Sequence, residues 1–542
     1  MKPLYLYLVF VAVFLLNACN DQADELEKAK KSINEPDIIE YVKTIGSDEF
    51  MGRRPFTEGE EIAVNYLKKE FEAIGLEPVK GSYFQEVPMV EVSIKPDEEM
   101  RLKTAGEEYR LTTGSEFVAQ SRRLQDELVL ENSPLVFAGY GIVAPEYDWN
   151  DYENLDVKGK TVVVLVNDPG FATEDSSFFK GRSMTYYGRW TYKYEEAARQ
   201  GAEGLLIIHQ TEPAGYPWNV VENGASVPDL YLVPEDDYQT RCKLEGWITL
   251  DAAKEVFDKA GIDFSVIHEA SKPDFEPIDL NTAISFNMKS RQSYKTSKNV
   301  MGYIKGSKRP DEVIIYSAHW DHFGIGKKID GDSIYNGAVD NGTSLAWMLS
   351  IAKAFKSLDT PPERSVMFFA PTAEETGLLG SAYYVANPLF EIEKTVANIN
   401  NDLMLPYGAT KDVMVTGYGQ SELDDYVAQA AKKQERYLLP DPNAHTGMYF
   451  RSDHFSFAKQ GVPSLFVRGN CDHAEHGKAW MQEKENEWLR DYYHKPADEY
   501  EDWWDLQGIV NDARLLFEVG YKLANETGFP QWSENSEFKD KR

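Results

Sequence analysis

The chain has 542 residues, with 57 Lys and Arg against 89 Asp and Glu, a formal net charge of -32. At roughly 150 residues per domain this length predicts more than one folded unit, and a hydrophobic share of 42% with 27% charged residues excludes wholesale disorder. So large an acidic excess argues against nucleic acid as a partner, because phosphates must be met by Lys and Arg. Three cysteines, Cys19, Cys242 and Cys471, are too few for a disulfide framework or a thiolate zinc site. Any bound metal therefore rests on His and carboxylate, and whether Cys242 and Cys471 pair is open from sequence.

The first element is an apolar stretch, Leu4 to Leu16, uninterrupted by charge. It is too short to cross a bilayer core of about 30 Å as a helix and fits the apolar region of a secretory signal. It ends in Leu16-Asn17-Ala18-Cys19 before a polar tract, which resembles a bacterial lipoprotein lipobox with Cys19 as the acylated residue. That resemblance implies a signal peptide over 1–18, an extracytoplasmic protein, and a lipid anchor in a bacterial membrane, facing the periplasm or the cell surface. An ordinary signal peptide with a chance cysteine is the alternative. Residues 19–35 are polar and read as a tether. Thr57-Glu58-Gly59-Glu60 then reads as a capping box, and Ile62, Ala63, Tyr66, Leu67, Phe71 and Ile74 recur at helical spacing before Gly75 and Pro78.

From 115 to 282 the texture changes to β-like runs with Gly-rich and aromatic joints. Leu135–Gly141, Val162–Val166 and Gly204–Ile208 are the best of these, with a helical stretch over Tyr194–Gln200. This predicts an inserted domain, splitting a catalytic domain into 36–114 and 283–530 and leaving a tail over 531–542. A single large sheet with long loops is the alternative. In the second part, Val313–Tyr316, Val366–Phe369 and Ser464–Val467 read as buried strands, alternating with helical patterns such as Ser344 to Leu358. That alternation predicts an α/β fold with a largely parallel sheet.

The chemistry-bearing residues follow these strands. Ser317-Ala318-His319-Trp320-Asp321-His322 comes directly after one buried run. His319 is placed to ligate a metal with Asp321 orienting its ring, although a lone histidine is more often structural. Gly337-Ala338-Val339-Asp340-Asn341-Gly342 precedes a helix, so Asp340 is either presented by a tight turn or is an N-cap. Glu374-Glu375 follows another strand, where like charge and desolvation penalise both groups. A dication offsets both costs, one glutamate binding it while the other acts as general base. Asp402 closes a further apolar stretch, and Tyr493-His494-Lys495-Pro496-Ala497-Asp498 comes last. Two histidines and several carboxylates without thiolate suit catalytic zinc, which read from the residues alone gives a metallohydrolase.

His319-x-Asp321, Gly-Ala-x-Asp340-Asn, Glu374-Glu375-x-Gly-Leu-x-Gly-Ser381, Asn-x-Asp402 and Tyr-His494-x-x-x-Asp498 together resemble, in order and context, the di-zinc aminopeptidases of metallopeptidase family 28, relatives of glutamate carboxypeptidase. The resemblance implies a mixed, largely parallel sheet flanked by helices, with the insert as a β-rich protease-associated domain. It implies two zinc ions held by His319, Asp340, Glu375, Asp402 and His494, with Asp340 bridging. Glu374 is then the general base, Asp321 the orienting acid, and Ser452, Asp453 and His454 line the substrate side. Peptides are the implied substrates, cut by an aminopeptidase. A glutamate carboxypeptidase-like carboxypeptidase or dipeptidase is the nearest alternative and would need a cationic clamp such as Arg451 or Arg468. A non-catalytic receptor-like protein would have lost ligands that this chain keeps. His322, His473 and His476 read as solvated, His209 as core or rim, and the Trp503-Trp504 cluster as packing.

Overall fold

The computed structural model describes residues 24–541. The expected signal segment and Cys19 lie outside the described residues. Contacts divide the chain into two compact units: residues to Val87 with Ser297–Asp441 and Ser452 onward, and Pro88–Thr296 with Pro442–Arg451. Residues 88–114 and 283–296 thus fall with the second unit. Among the described residues no helix is long and apolar enough to cross a membrane.

The sheet of the first unit runs in the order Tyr437–Pro440, Asp412–Val415, Ser464–Arg468, Thr395–Asn400, Arg309–Ser317, Arg364–Ala370 and the end of Ile278–Ile304. The three central pairings, between Ser464–Arg468, Thr395–Asn400, Arg309–Ser317 and Arg364–Ala370, are parallel, with antiparallel pairs toward either side. Both faces are covered. Ile314 and Tyr316 pack with helix residues such as Val42, Leu67, Trp347 and Phe517, while Val313 and Ile315 pack with Met301, Tyr384 and Phe457. That two-sided burial is why these strands read as continuous apolar runs instead of alternating. This is a mixed α/β fold with a central sheet flanked by helices.

Helix Glu58–Ile74 ends at Gly75 in a left-handed conformation (φ 87°), as the spacing predicts. Its cap differs from the expected box. Thr57 makes no side-chain cap bond, donating instead to Arg54 O, while Glu60 accepts from the amide of Phe56. The expected tether is also corrected. Residues 24–32 are helical, and Ala29 and Ile33 (0% exposed) join the core. Arg514 donates to Ile33 O, and Lys30 pairs with Glu518. A narrow apolar stripe on a polar helix suffices to dock it.

In the second unit, Glu127–Phe137, Thr161–Leu165, Gly204–Ile208 and Leu244–Ile248 pair in parallel and Phe117–Gln120 closes one edge antiparallel. The hairpin Glu99–Thr104 with Glu107–Thr112 pairs with the early part of Ile278–Ile304. Helices Trp190–Arg199 and Leu250–Lys259 accompany the parallel strands, so this unit is α/β as well as rich in strands. Cys242 and Cys471 are both free, one in each unit.

Candidate metal centre

The ends of the first unit's parallel strands deliver the site. His319 follows Arg309–Ser317, Glu374 and Glu375 follow Arg364–Ala370, and Asp402 follows Thr395–Asn400. Asp340 lies in the turn before helix Ser344–Lys356, whose N-cap is Thr343. The N-cap role for Asp340 is therefore excluded.

His319 Nε2 lies 3.4 Å from Asp402 Oδ1, 3.5 Å from Asp340 Oδ1 and 3.8 Å from Glu374 Oε2. The other oxygen of Asp340, Oδ2, is 3.3 Å from His494 Nε2, which is also 3.3 Å from Glu375 Oε2. Asp340 thus turns one oxygen to each of two donor sets. His319, Asp340 and Asp402 offer ligand atoms within 4.8 Å of one another, as do His319, Glu374 and Glu375, and His322, Asp340 and Glu375. His319 Nε2 and Asp402 Oδ1 are buried with no hydrogen-bond partner, which a native site seldom leaves unexplained. Four converging carboxylates against three imidazoles carry more negative charge than burial tolerates unless cations join them. Burial, opposed by His319 and reinforced by Asp402 and Asp453, pushes the Glu374 carboxyl well above the usual range. Burial would lower the proton affinity of His319, but Glu374 and Asp402 outweigh it and raise it. The residues fit a pair of metal ions.

Asp321 departs from its expected part. Its carboxylate is 3.8 Å from His319 Nδ1, and its backbone oxygen, at 3.1 Å, is what meets that nitrogen. The carboxylate instead accepts from the amides of Glu374 (3.0 Å) and Glu375 (3.4 Å), fixing the backbone that carries both glutamates. Asp498 does the same across the site. It accepts from the amides of Val339 (2.9 Å) and Asp340 (3.0 Å), and burial pushes its carboxyl up to about 7. Asn401 stands directly before Asp402. Its amide donates to Val467 O at 2.9 Å, and its side-chain oxygen accepts from the Asp402 amide at 3.1 Å.

Two participants escape sequence reasoning. Arg53, 0% exposed, donates to the carbonyls of Trp320, Ile45, Asn336 and Gly337 at 2.5–3.0 Å. No periodicity or motif marks it. His322 is 2% exposed, not solvated, and its Nδ1 lies 2.6 Å from Glu375 Oε1. Its place one residue after His319-x-Asp321 was the available signal. Gly337 has a positive φ of 59°, and a Cβ there would lie 2.1 Å from Asp340 O and 2.7 Å from the His322 ring, so only glycine fits.

Ser452, Asp453 and His454 are fully buried, not set on an open pocket wall. Ser452 Oγ accepts from Asn400 Nδ2 at 2.7 Å, and burial pushes the Asp453 carboxyl up to about 7. Arg468 is committed to Asp402 O at 2.9 Å. His494 remains 33% exposed at its side chain. His473 is buried and stacks on exposed His476. His209 is buried in the second unit, with Nε2 3.0 Å from Tyr216 O. Trp504 is packed, whereas Trp503, 50% exposed, stacks on Tyr407 beside a cavity of about 570 Å³ also lined by His473, His476 and Trp480.

Residues 299–517 match the sequence model of Peptidase family M28. Aminopeptidase NAALADL1 of Mus musculus is 33% identical over 146 residues, 26% of this chain and 18% of that protein. Aminopeptidase YwaD of Bacillus subtilis (strain 168) is 29% identical over 213 residues, 38% of this chain and 40% of that protein. The chain therefore spans well under half the length of these curated relatives. The aminopeptidase from Aneurinibacillus sp. strain AM-1 shares the fold with a TM-score of 0.50 at 18% identity, over 93% of this chain and 97% of its own. Residues 299–517 are thus similar to Peptidase family M28 and to aminopeptidases, the chain shares the fold of a solved aminopeptidase, and its residue clusters are geometrically suited to two metal ions.

Proposed function

We propose that the protein is a zinc-dependent exopeptidase, acting as an aminopeptidase on peptides. The observation that carries this is Asp340, whose two carboxylate oxygens each face a different histidine, with a second carboxylate beside each. His319, Asp402 and Asp340 would hold one zinc ion, and His494, Glu375 and Asp340 the other. Zinc ions bound there would supply Lewis-acid polarisation of the scissile carbonyl and acidify an attacking water. Among the described residues Glu374 pairs with no basic group other than His319, at 3.8 Å, so its carboxylate is available to accept a proton at Oε2 and return it to the leaving amine. Asp321, Asp498 and Arg53 keep the ligand-bearing backbone in place. Arg468 donates from one of its terminal nitrogens to Asp402 O.

The second unit is proposed as a protease-associated domain on the strength of its strand content and its insertion between the two catalytic segments. The N-terminal segment is proposed as a lipobox that anchors the enzyme outside the cytoplasm through Cys19, on the sequence pattern alone.

Glu374→Gln tests the reading. The variant should bind two equivalents of zinc yet hydrolyse aminoacyl-anilides at least about a hundredfold more slowly. Near-normal turnover with zinc bound would refute the base assignment. Preference for N-blocked dipeptides over free-amine substrates would refute the aminopeptidase reading.

A further inference from the structure

One cavity of the first unit is built from chemistry that the metal centre does not use. Its volume of about 570 Å³ is that of a small-molecule site, and none of the candidate metal ligands lines it. Tyr407 joins two of its walls. The Tyr407 ring lies 5.6 Å from that of Trp503, nearly parallel at 20°, and 6.0 Å from that of Trp480, nearly perpendicular at 85°. His473 and His476 extend the Trp480 side, with rings 4.6 and 4.7 Å away. Trp503, Glu475 and Asp505 are exposed, so a solute reaches these groups directly from bulk water.

The lining is acidic as well as aromatic. Glu475, Glu487, Asp491 and Asp505 line the cavity against the single ammonium of Lys484. Among the described residues neither Glu475 nor Asp505 forms an ion pair, and Asp505 meets only a neutral donor, the Gln507 amide at 2.9 Å. Burial, with His476 alongside, lowers the proton affinity of His473, so that imidazole brings no positive charge near pH 7. Lys484 shows what such a lining holds. Its Nζ is 5.9 Å from the Trp480 ring centroid and 2.5 Å from Glu487 Oε2, an ammonium set between an indole and a carboxylate. Ring faces attract cations through their quadrupole, and carboxylates on the walls of a cavity add to the negative potential inside it. The same potential repels anions, and a neutral solute gains from the rings alone.

We propose that the cavity bounded by Tyr407, Trp480 and Trp503, with Glu475 and Asp505 exposed on its lining, is a binding site for an alkylammonium group, carried by a free quaternary amine or by a lysine side chain. This assignment is independent of the peptidase reading.

The test uses the full-length, zinc-loaded protein at constant ionic strength, with choline and N-acetyl-lysine amide as probes and 3,3-dimethylbutanol as the uncharged isostere of choline. Calorimetric titration and quenching of tryptophan fluorescence should show saturable binding of at least one cation, about tenfold or more tighter than the isostere. The tighter cation identifies the source of the ammonium. Trp503→Ala, at an exposed position, should weaken that binding about tenfold, and Glu475→Gln, which removes charge from an exposed side chain, about threefold. Absence of saturable binding by both cations, an isostere bound as tightly as they are, or binding unchanged in both variants would overturn the proposal.

Discussion

Replacing Arg53 by methionine removes the cation that ties together the turn bearing Asp340, the strand end bearing His319 and helix Glu35–Ile45. Four backbone carbonyls, those of Trp320, Ile45, Asn336 and Gly337, receive its hydrogen bonds at 2.5–3.0 Å. Leaving a buried acceptor unmatched costs about 2 kcal/mol, so four lose about 8 kcal/mol. Against this, burial already lowers the arginine pKa from 12.5 to about 10 despite Asp340, Asp498, Asp321 and Glu375, a penalty of about 3 kcal/mol that methionine escapes. The net expectation is a loss of about 5 kcal/mol, large enough to be diagnostic. Urea unfolding followed by tryptophan fluorescence, with and without zinc, measures it, and the same samples give zinc affinity by chelator competition. Arg53→Lys keeps the charge but not the fork and should fall between wild type and methionine. A loss under about 1 kcal/mol in Arg53→Met, with zinc affinity unchanged, would refute the role given to this side chain.

Asp498→Asn replaces an acceptor of two amides by a group that must turn an NH2 toward one of them. It should cost about 2 kcal/mol and weaken zinc binding about ten- to a hundredfold, as read by chelator competition. Gly337→Ala places a methyl at a positive φ against Asp340 O and should destabilise by about 3 kcal/mol, measurable by thermal unfolding. A neutral outcome there would contradict the turn geometry. In the second unit, burial raises Asp229 to about 6 against Tyr231 and Arg122. Its folded pKa lies above its unfolded value of about 3.9, so the native state binds the proton more tightly. The associated stability, at most about 3 kcal/mol, is present below about pH 4 and lost as the pH rises through about 6. Asp229→Asn should abolish that slope between pH 4 and 6 in denaturant titrations.

His319, Glu375 and Asp402 were legible because each follows a strand buried on both faces, so the apolar run announces where the chain leaves the sheet. Asp340 before a helix and His494 after helix Gly477–Asp491 were legible only through the motifs they share with the family. His319, Asp340, Glu375, Asp402 and His494 lie together in the structure. The braces were not legible. Arg53 acts through carbonyls of distant segments, which no local spacing encodes. Asp321 was expected to hold an imidazole but holds two amides, a choice made by how the loop from Phe369 approaches, not by residue type. Residues 24–33 look like a tether by composition, because a helix needing only Ala29 and Ile33 to dock leaves most of its surface polar. His322 was read as solvated because a histidine beside a motif carries no burial signal of its own.

Asp498 stands after the last ligand in the chain yet fixes the amide of Asp340, far earlier in it. Domains take shape during synthesis as the chain emerges, but here the turn carrying Asp340 lacks its clamp until residue 498 is available. A nascent polypeptide that has reached residue 490 owns His319, Glu374, Glu375 and Asp402 and still lacks both His494 and that clamp. Under the function proposed, hydrolytic competence waits on the synthesis of residues 494 and 498. The order of residues along the chain thus makes the Asp340 turn the last part of the site to be braced.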